Sequence, residues 1–149
     1  MDPKASTCPW KFYLGRKEIS ESYSFPVIIG AVPGGKEKLR KFMVTAKQVE
    51  KDGSRGRILG HWEHQWDTIP ICCYEPGLNY AHEGRQLNRR QTIPRSLNQS
   101  LMWTAPHHFV GSVVFVATFW KSSRLYWPHI ESDPIVVTKE IHQPNFSQG

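Results

Sequence analysis

The sequence predicts an all-β protein, an immunoglobulin-like antiparallel β-sandwich built as a single domain. Three observations predict it. Aromatic residues sit inside runs rich in Val, Ile and Thr, the composition of strands. Turn residues separate these runs at short intervals. No segment carries the apolar period of a helix longer than two turns. A chain of 149 residues with 39% hydrophobic and 12% aromatic residues can bury a real core within one domain.

Residues 1–21 have weak periodicity and read as an N-terminal arm, a divergent or truncated start of the domain, with one short strand at Lys11 to Leu14. Ser22 to Val32 reads as the first full strand. Pro26 within it lacks a backbone donor, which predicts an edge or a bulge there. Pro33-Gly34-Gly35 is a turn. In Leu39 to Glu50, Phe42, Val44 and Ala46 alternate with Met43, Thr45 and Lys47, the period of a half-buried strand. Lys51-Asp52-Gly53-Ser54 closes it. Arg57 to Trp62 and Thr68 to Tyr74 are short strands, and Glu75 to Arg90 reads mostly as loop.

Three stronger strands follow at Gln99 to Thr104, Gly111 to Trp120 and Arg124 to Glu131, with a hairpin at Ser122-Ser123. Ile135 to Lys139 adds an edge strand. The sandwich thus spans 22–138, and 139–149 form a flexible tail. In Gly111 to Trp120 both faces are nearly apolar, which predicts a central strand. Trp103 and Trp127 are large enough to anchor the space between two sheets.

The formal net charge is +6. Such a field favours acidic glycans and anionic surfaces. The basic residues are scattered, and no zinc-finger, RRM or KH signature is present, so nucleic acid is not an expected partner. No run approaches the roughly 20 apolar residues of a membrane-spanning helix. The opening MDPKASTCPWKFYLGRK lacks an apolar core, so no signal peptide is expected in this chain.

Residues 102–135 carry a Trp-x-Ala-Pro element (Trp103, Ala105, Pro106) and a strand with Gly111, Val113, Phe115, Ala117 and Thr118. An aromatic pair, Tyr126-Trp127, and a Ser-x-Pro close, Ser132 and Pro134, follow. This pattern resembles the end of the reeler domain family. LRKFMVTAKQVE and Gly60-His61-Trp62 look like the family's earlier strands. The resemblance runs from about residue 22 to 138. It departs from the family at Lys41, where members have glycine, and in HHFVGS, which lacks a cysteine often found there.

The resemblance implies a non-catalytic extracellular or lumenal module that binds an extracellular protein, acidic glycans, or cell or microbial surfaces. Arg85, Arg89 and Arg90 are the candidate basic patch. The alternative is a structural domain of a larger membrane or ferric-reductase-like protein. The haem chemistry of such proteins belongs to other domains, so no cofactor and no catalysis are implied here.

The resemblance also implies a disulfide from Cys8 to Cys72 or Cys73. Three reduced thiols, the central two packed as small hydrophobes, are the other reading. Asn98-Gln99-Ser100 and Asn145-Phe146-Ser147 fit the glycosylation sequon.

A lesser alternative is a metal site from His61, His64 and Cys72 or Cys73. Residues three apart on a strand point to opposite faces, so His61 and His64 converge only if the chain turns. His107 and His108 read as ordinary polar loop residues. No nucleophile elbow, P-loop or dinucleotide fingerprint is present.

Overall fold

The structure is a computed structural model that describes residues 7–63, 68–69, 85–88 and 97–139. Twelve strands follow one another: β1 (Trp10–Leu14), β2 (Glu18–Ser20), β3 (Ser24–Ala31), β4 (Lys41–Val49), β5 (Arg55–Ile58), β6 (His61–Trp62), β7 (Thr68–Ile69), β8 (Arg85–Asn88), β9 (Asn98–Thr104), β10 (Gly111–Trp120), β11 (Tyr126–Glu131) and β12 (Ile135–Thr138). They form two sheets. The smaller has the order β1-β3-β9-β6. The larger has the order β2-β12-β10-β4-β8-β7, with β11 beside β10 and β5 beside β4.

Alternation decides which side chains meet between the sheets. On β4, Phe42, Val44 and Ala46 are fully buried, and on β10 Val113, Phe115, Ala117 and Phe119 are buried. The two strands run in unbroken antiparallel register from Ser112 opposite Val49 to Trp120 opposite Lys41. The smaller sheet supplies Phe25, Val27, Ile29, Leu101 and Trp103 to the same core. Phe115 lies at its centre, with its ring 5.1 Å from Trp103 and 5.9 Å from Trp62. Trp127 packs edge-on against Trp10 at 5.8 Å. The central strand and both anchoring tryptophans therefore stand where the alternation places them.

Several expectations need correction. The arm is part of the sandwich: β1 pairs with β3, and Trp10, Phe12 and Ile19 are buried. The short strand expected at Lys11 to Leu14 is β1, one residue longer, while β2 turns only Ile19 inward and so shows no period. The sheets are not wholly antiparallel, because β12 pairs with β2 in parallel. For the same reason β12 is not an edge strand; it lies between β10 and β2.

Pro26 is also not at a sheet edge, since β3 lies between β1 and β9. The Ala31 N–H donates toward β9, to Leu97 O, and the Val32 N–H donates toward β1, to Pro9 O. Pro26 shares the parity of Val32, so its nitrogen faces the β1 side. The β1 register ends at Leu14 opposite Val27. The missing donor therefore falls just past the partner strand and breaks no ladder bond. Within the stretch read as loop, Arg85–Asn88 forms β8 and pairs with β4. Of Thr68 to Tyr74, Thr68–Ile69 is a strand and 70–74 lie outside the described residues.

The run from Arg57 to Trp62 is two strands in two different sheets. β5 pairs with β4 and β6 pairs with β9. Leu59 and Gly60 carry the chain between them.

Arg55 and Glu131 tie β5 to β11 by two parallel hydrogen bonds, Nε and Nη2 each 2.8 Å from a carboxylate oxygen. The Arg55 guanidinium holds the Glu131 carboxyl below its ordinary range, with smaller help from the charges of His129 and Lys47. A depressed carboxyl contributes stability above its unfolded value and loses it as pH falls through its folded value. Glu131→Gln is therefore expected to melt below the wild type at neutral pH. The gap should close in acid, as shown by thermal melts across about pH 7 to about pH 3. A gap that stays constant over that range would refute the assignment. The pair is partly exposed, so the effect is modest.

Candidate ligand cleft at one end of the sandwich

The crossing from β5 to β6 builds one wall of a cleft. The Leu59 N–H donates to Ala46 O at 3.0 Å, and the Trp103 indole donates to Leu59 O at 3.2 Å. Gly60 has φ +68°, a conformation that favours glycine. The crossing sets Arg57 on one side and His61 on the other. β6 then pairs His61 with Thr104.

The chain after Thr104 builds the opposite wall. The Ala105 N–H donates to Tyr23 O at 3.0 Å. Pro106, His107, His108 and the buried Phe109 follow. His107 Nδ1 lies 2.7 Å from Ser22 Oγ, a hydrogen bond in which either group can donate. The rings of His107 and His108 are 6.0 Å apart. Ser22 has φ +66° and His108 has φ +59°. Left-handed backbone is uncommon outside glycine, and such strain gathers at functional sites.

The result is a cleft of about 280 Å³ lined by Arg57, His61, His107 and His108 over Leu59, Pro106 and Phe109. No carboxylate is among its lining residues. Its four polar side chains present nitrogen atoms only, and the guanidinium is always charged. Such a set suits an oxyanion. No group of three or more His, Cys, Asp and Glu that could hold a metal occurs among the described residues.

The remaining predicted positions fall elsewhere. Arg85 opens β8 opposite Thr45, and Arg89 and Arg90 lie outside the described residues. Asn98 opens β9 opposite Gly30 and is exposed, while Asn145 lies outside the described residues. Cys8 is half-buried and has no disulfide partner among the described residues. Burial pushes its thiol up, partly offset by the Trp10 backbone N–H. Cys72, Cys73 and His64 lie outside the described residues, so the disulfide pairings and the rest of the metal set do too. No helix among the described residues is long and apolar enough to cross a membrane.

The cleft itself escaped the sequence reading, which paired His61 with His64 and left His107 and His108 as loop. One signal could have found it. Trp62 and Trp103 are both inward anchors, and pairing them places His61 beside Thr104 at the start of the histidine loop.

Three comparisons bear on this architecture. The chain is 30% identical over 142 residues to a Samia ricini protein named "Putative defense protein Hdd11-like", covering 91% of this chain and 76% of that protein. It is 33% identical over 81 residues to "Putative defense protein 3" of Antheraea mylitta, covering 54% of this chain and 45% of the relative. The second alignment thus spans less than half of the relative.

The fold is similar to that of the human F-spondin reeler domain, with a TM-score of 0.63 at 14% identity over 88% of this chain and 90% of that one. A second structure, of the Reelin-N domain of F-spondin, gives 0.61, also at 14% identity, over 89% of this chain and 88% of that one. The reeler domain is a non-catalytic module, and this chain is accordingly not an enzyme. The reeler domain model matches residues 1–143, and the likeness of fold agrees with it: the chain belongs to the reeler domain family.

Proposed function

We propose that this domain is an extracellular recognition module that binds acidic glycans or other anionic surfaces. The cationic cleft carries the reading: an arginine and three histidines gather at one end of the sandwich with no carboxylate among its lining residues. The net charge of +6 supports it, because a positive field draws anionic partners. The names of the Samia ricini and Antheraea mylitta relatives, putative defense proteins, are compatible with a recognition role. Arg85, Arg89 and Arg90 are the candidate basic patch of this reading, in which the fold is an immunoglobulin-like sandwich. A disulfide from Cys8 to Cys72 or Cys73 and glycans at Asn98 and Asn145 would fit the same compartment.

Binding of this kind is salt-sensitive. The protein is expected to stay on a heparin-like column at about 0.15 M salt and to elute well before about 1 M, where screening cuts the field within ~3 Å. Replacing Arg85, Arg89 and Arg90 together by serine should lower the eluting salt. Elution alongside a neutral sandwich of equal size would overturn the proposal.

A further inference from the structure

We propose that the cleft between Arg57, His61, His107 and His108 is a pH-gated pocket for one acidic sugar residue, held by its carboxylate or sulfate. This rests on the reading that the domain binds acidic glycans, and it adds where, how much of the ligand, and under what condition.

Size sets the amount of ligand. At about 280 Å³, the cleft lies at or below the lower end of small-molecule pockets, roughly 300 Å³. It has room for a single residue, and any further residues of a chain would lie outside it. Its lining divides the work. Leu59, Pro106 and Phe109 offer an apolar floor to the C–H face of a sugar ring. The nitrogen groups offer donors to the charged substituent. Arg57 can meet a carboxylate or a sulfate with two parallel bonds.

The histidines set the condition. Imidazole is the side chain that gains charge between pH 5 and 8. From β5 the imidazoles face Arg57. His61 comes from β6, His107 and His108 from the loop after β9, and Ser22 from the turn before β3 offers a hydroxyl. No carboxylate is among the groups that line the cleft to neutralise an imidazolium. An incoming oxyanion supplies that missing charge. Binding and protonation are then linked: the ligand draws protons onto the cleft, and acid tightens the ligand by the same factor.

The pocket is also partly preorganised. The hydrogen bond between Ser22 Oγ and His107 Nδ1 fixes that ring and leaves Nε2 as the nitrogen to face a ligand. Both partners sit beside left-handed backbone, at Ser22 itself and at His108.

The test is calorimetric titration of the full chain at about pH 5.5 and about pH 7.5. The probes are trigalacturonate, a sulfated chondroitin disaccharide and neutral maltotriose. At least one acidic probe is expected to bind about tenfold more tightly at the lower pH, from one or two added charge-assisted hydrogen bonds. It should take up protons as it binds, read from the heats in two buffers of different ionisation enthalpy. The acid that binds more tightly identifies the oxyanion. Maltotriose should not bind.

The double variant His61→Gln with His108→Asn should lose most of the gain in acid, keeping only the share of His107, with its melting temperature unchanged. Asparagine tolerates the left-handed backbone at residue 108. Arg57→Gln should weaken binding at both pH values and offers a second variant at another strand. Affinity that is independent of pH, an undiminished gain in the double variant, or equal binding of maltotriose would overturn the pocket. In each of these cases retention on an anionic column at neutral pH would leave the broader function standing. Loss of that retention as well would overturn both.

Discussion

Phe115→Ala is expected to destabilise the domain by about 3–5 kcal/mol. The side chain is fully buried at the middle of β10. Its ring lies 6.3 Å from Phe12, 6.1 Å from Phe25, 5.9 Å from Trp62 and 5.1 Å from Trp103. All four neighbours come from the smaller sheet. Deleting the ring removes the larger sheet's central contact with that sheet and leaves a cavity walled by rigid aromatics, which collapse poorly. A single domain holds about 5–15 kcal/mol in all, so about a fifth or more of its stability is at stake. Urea denaturation should show a lower midpoint with an unchanged slope. Phe115→Leu keeps much of the volume and should cost less than about 1.5 kcal/mol. A loss below that value for the alanine variant would show that the inter-sheet contact does not centre on this ring.

That core was legible in the sequence because it follows the simplest rule available. Val113, Phe115 and Ala117 alternate with residues of the other face, and Trp103 and Trp127 have the bulk to fill the space between sheets. The same rule failed where elements were short. Trp10, Phe12 and Ile19 are core residues, but β1 and β2 are too brief to display a period. The rule also misled at Arg57 to Trp62, where one apparent strand is two strands in different sheets. No period marks a change of sheet. The candidate cleft was illegible for a related reason. Its residues come from β5, β6 and the β9–β10 loop, and they meet only because Trp62 lies opposite Trp103. Net charge suggested an anionic partner and His61 with His64 a lesser metal site, but pairing across the sheet is what brings Arg57, His61, His107 and His108 together.

Gly60→Ala tests that crossing directly and is expected to cost about 2–5 kcal/mol in stability. Two costs combine. At φ +68° any Cβ carries a penalty of about 1–2 kcal/mol. A methyl group built there would also lie 2.4 Å from Thr104 O and 2.6 Å from the Trp103 ring. Neither can yield easily, since Thr104 is held in the β9 ladder and Trp103 is fully buried. Overpacking of this kind adds about 1–3 kcal/mol. Gly34→Ala separates the two costs. It sits at φ +77° with nothing within 4 Å of the added atom, so it carries the backbone penalty alone. The difference between the two variants in urea denaturation measures the close approach. Equal losses would mean that the β5–β6 crossing gives way and that Gly60 does not pin it. If the difference is large, the same substitution should also weaken acidic-probe binding under conditions where the variant is still folded. Arg57 and His61 flank this residue on the same wall, and a crossing pushed off Trp103 changes their distance from His107 and His108 on the other.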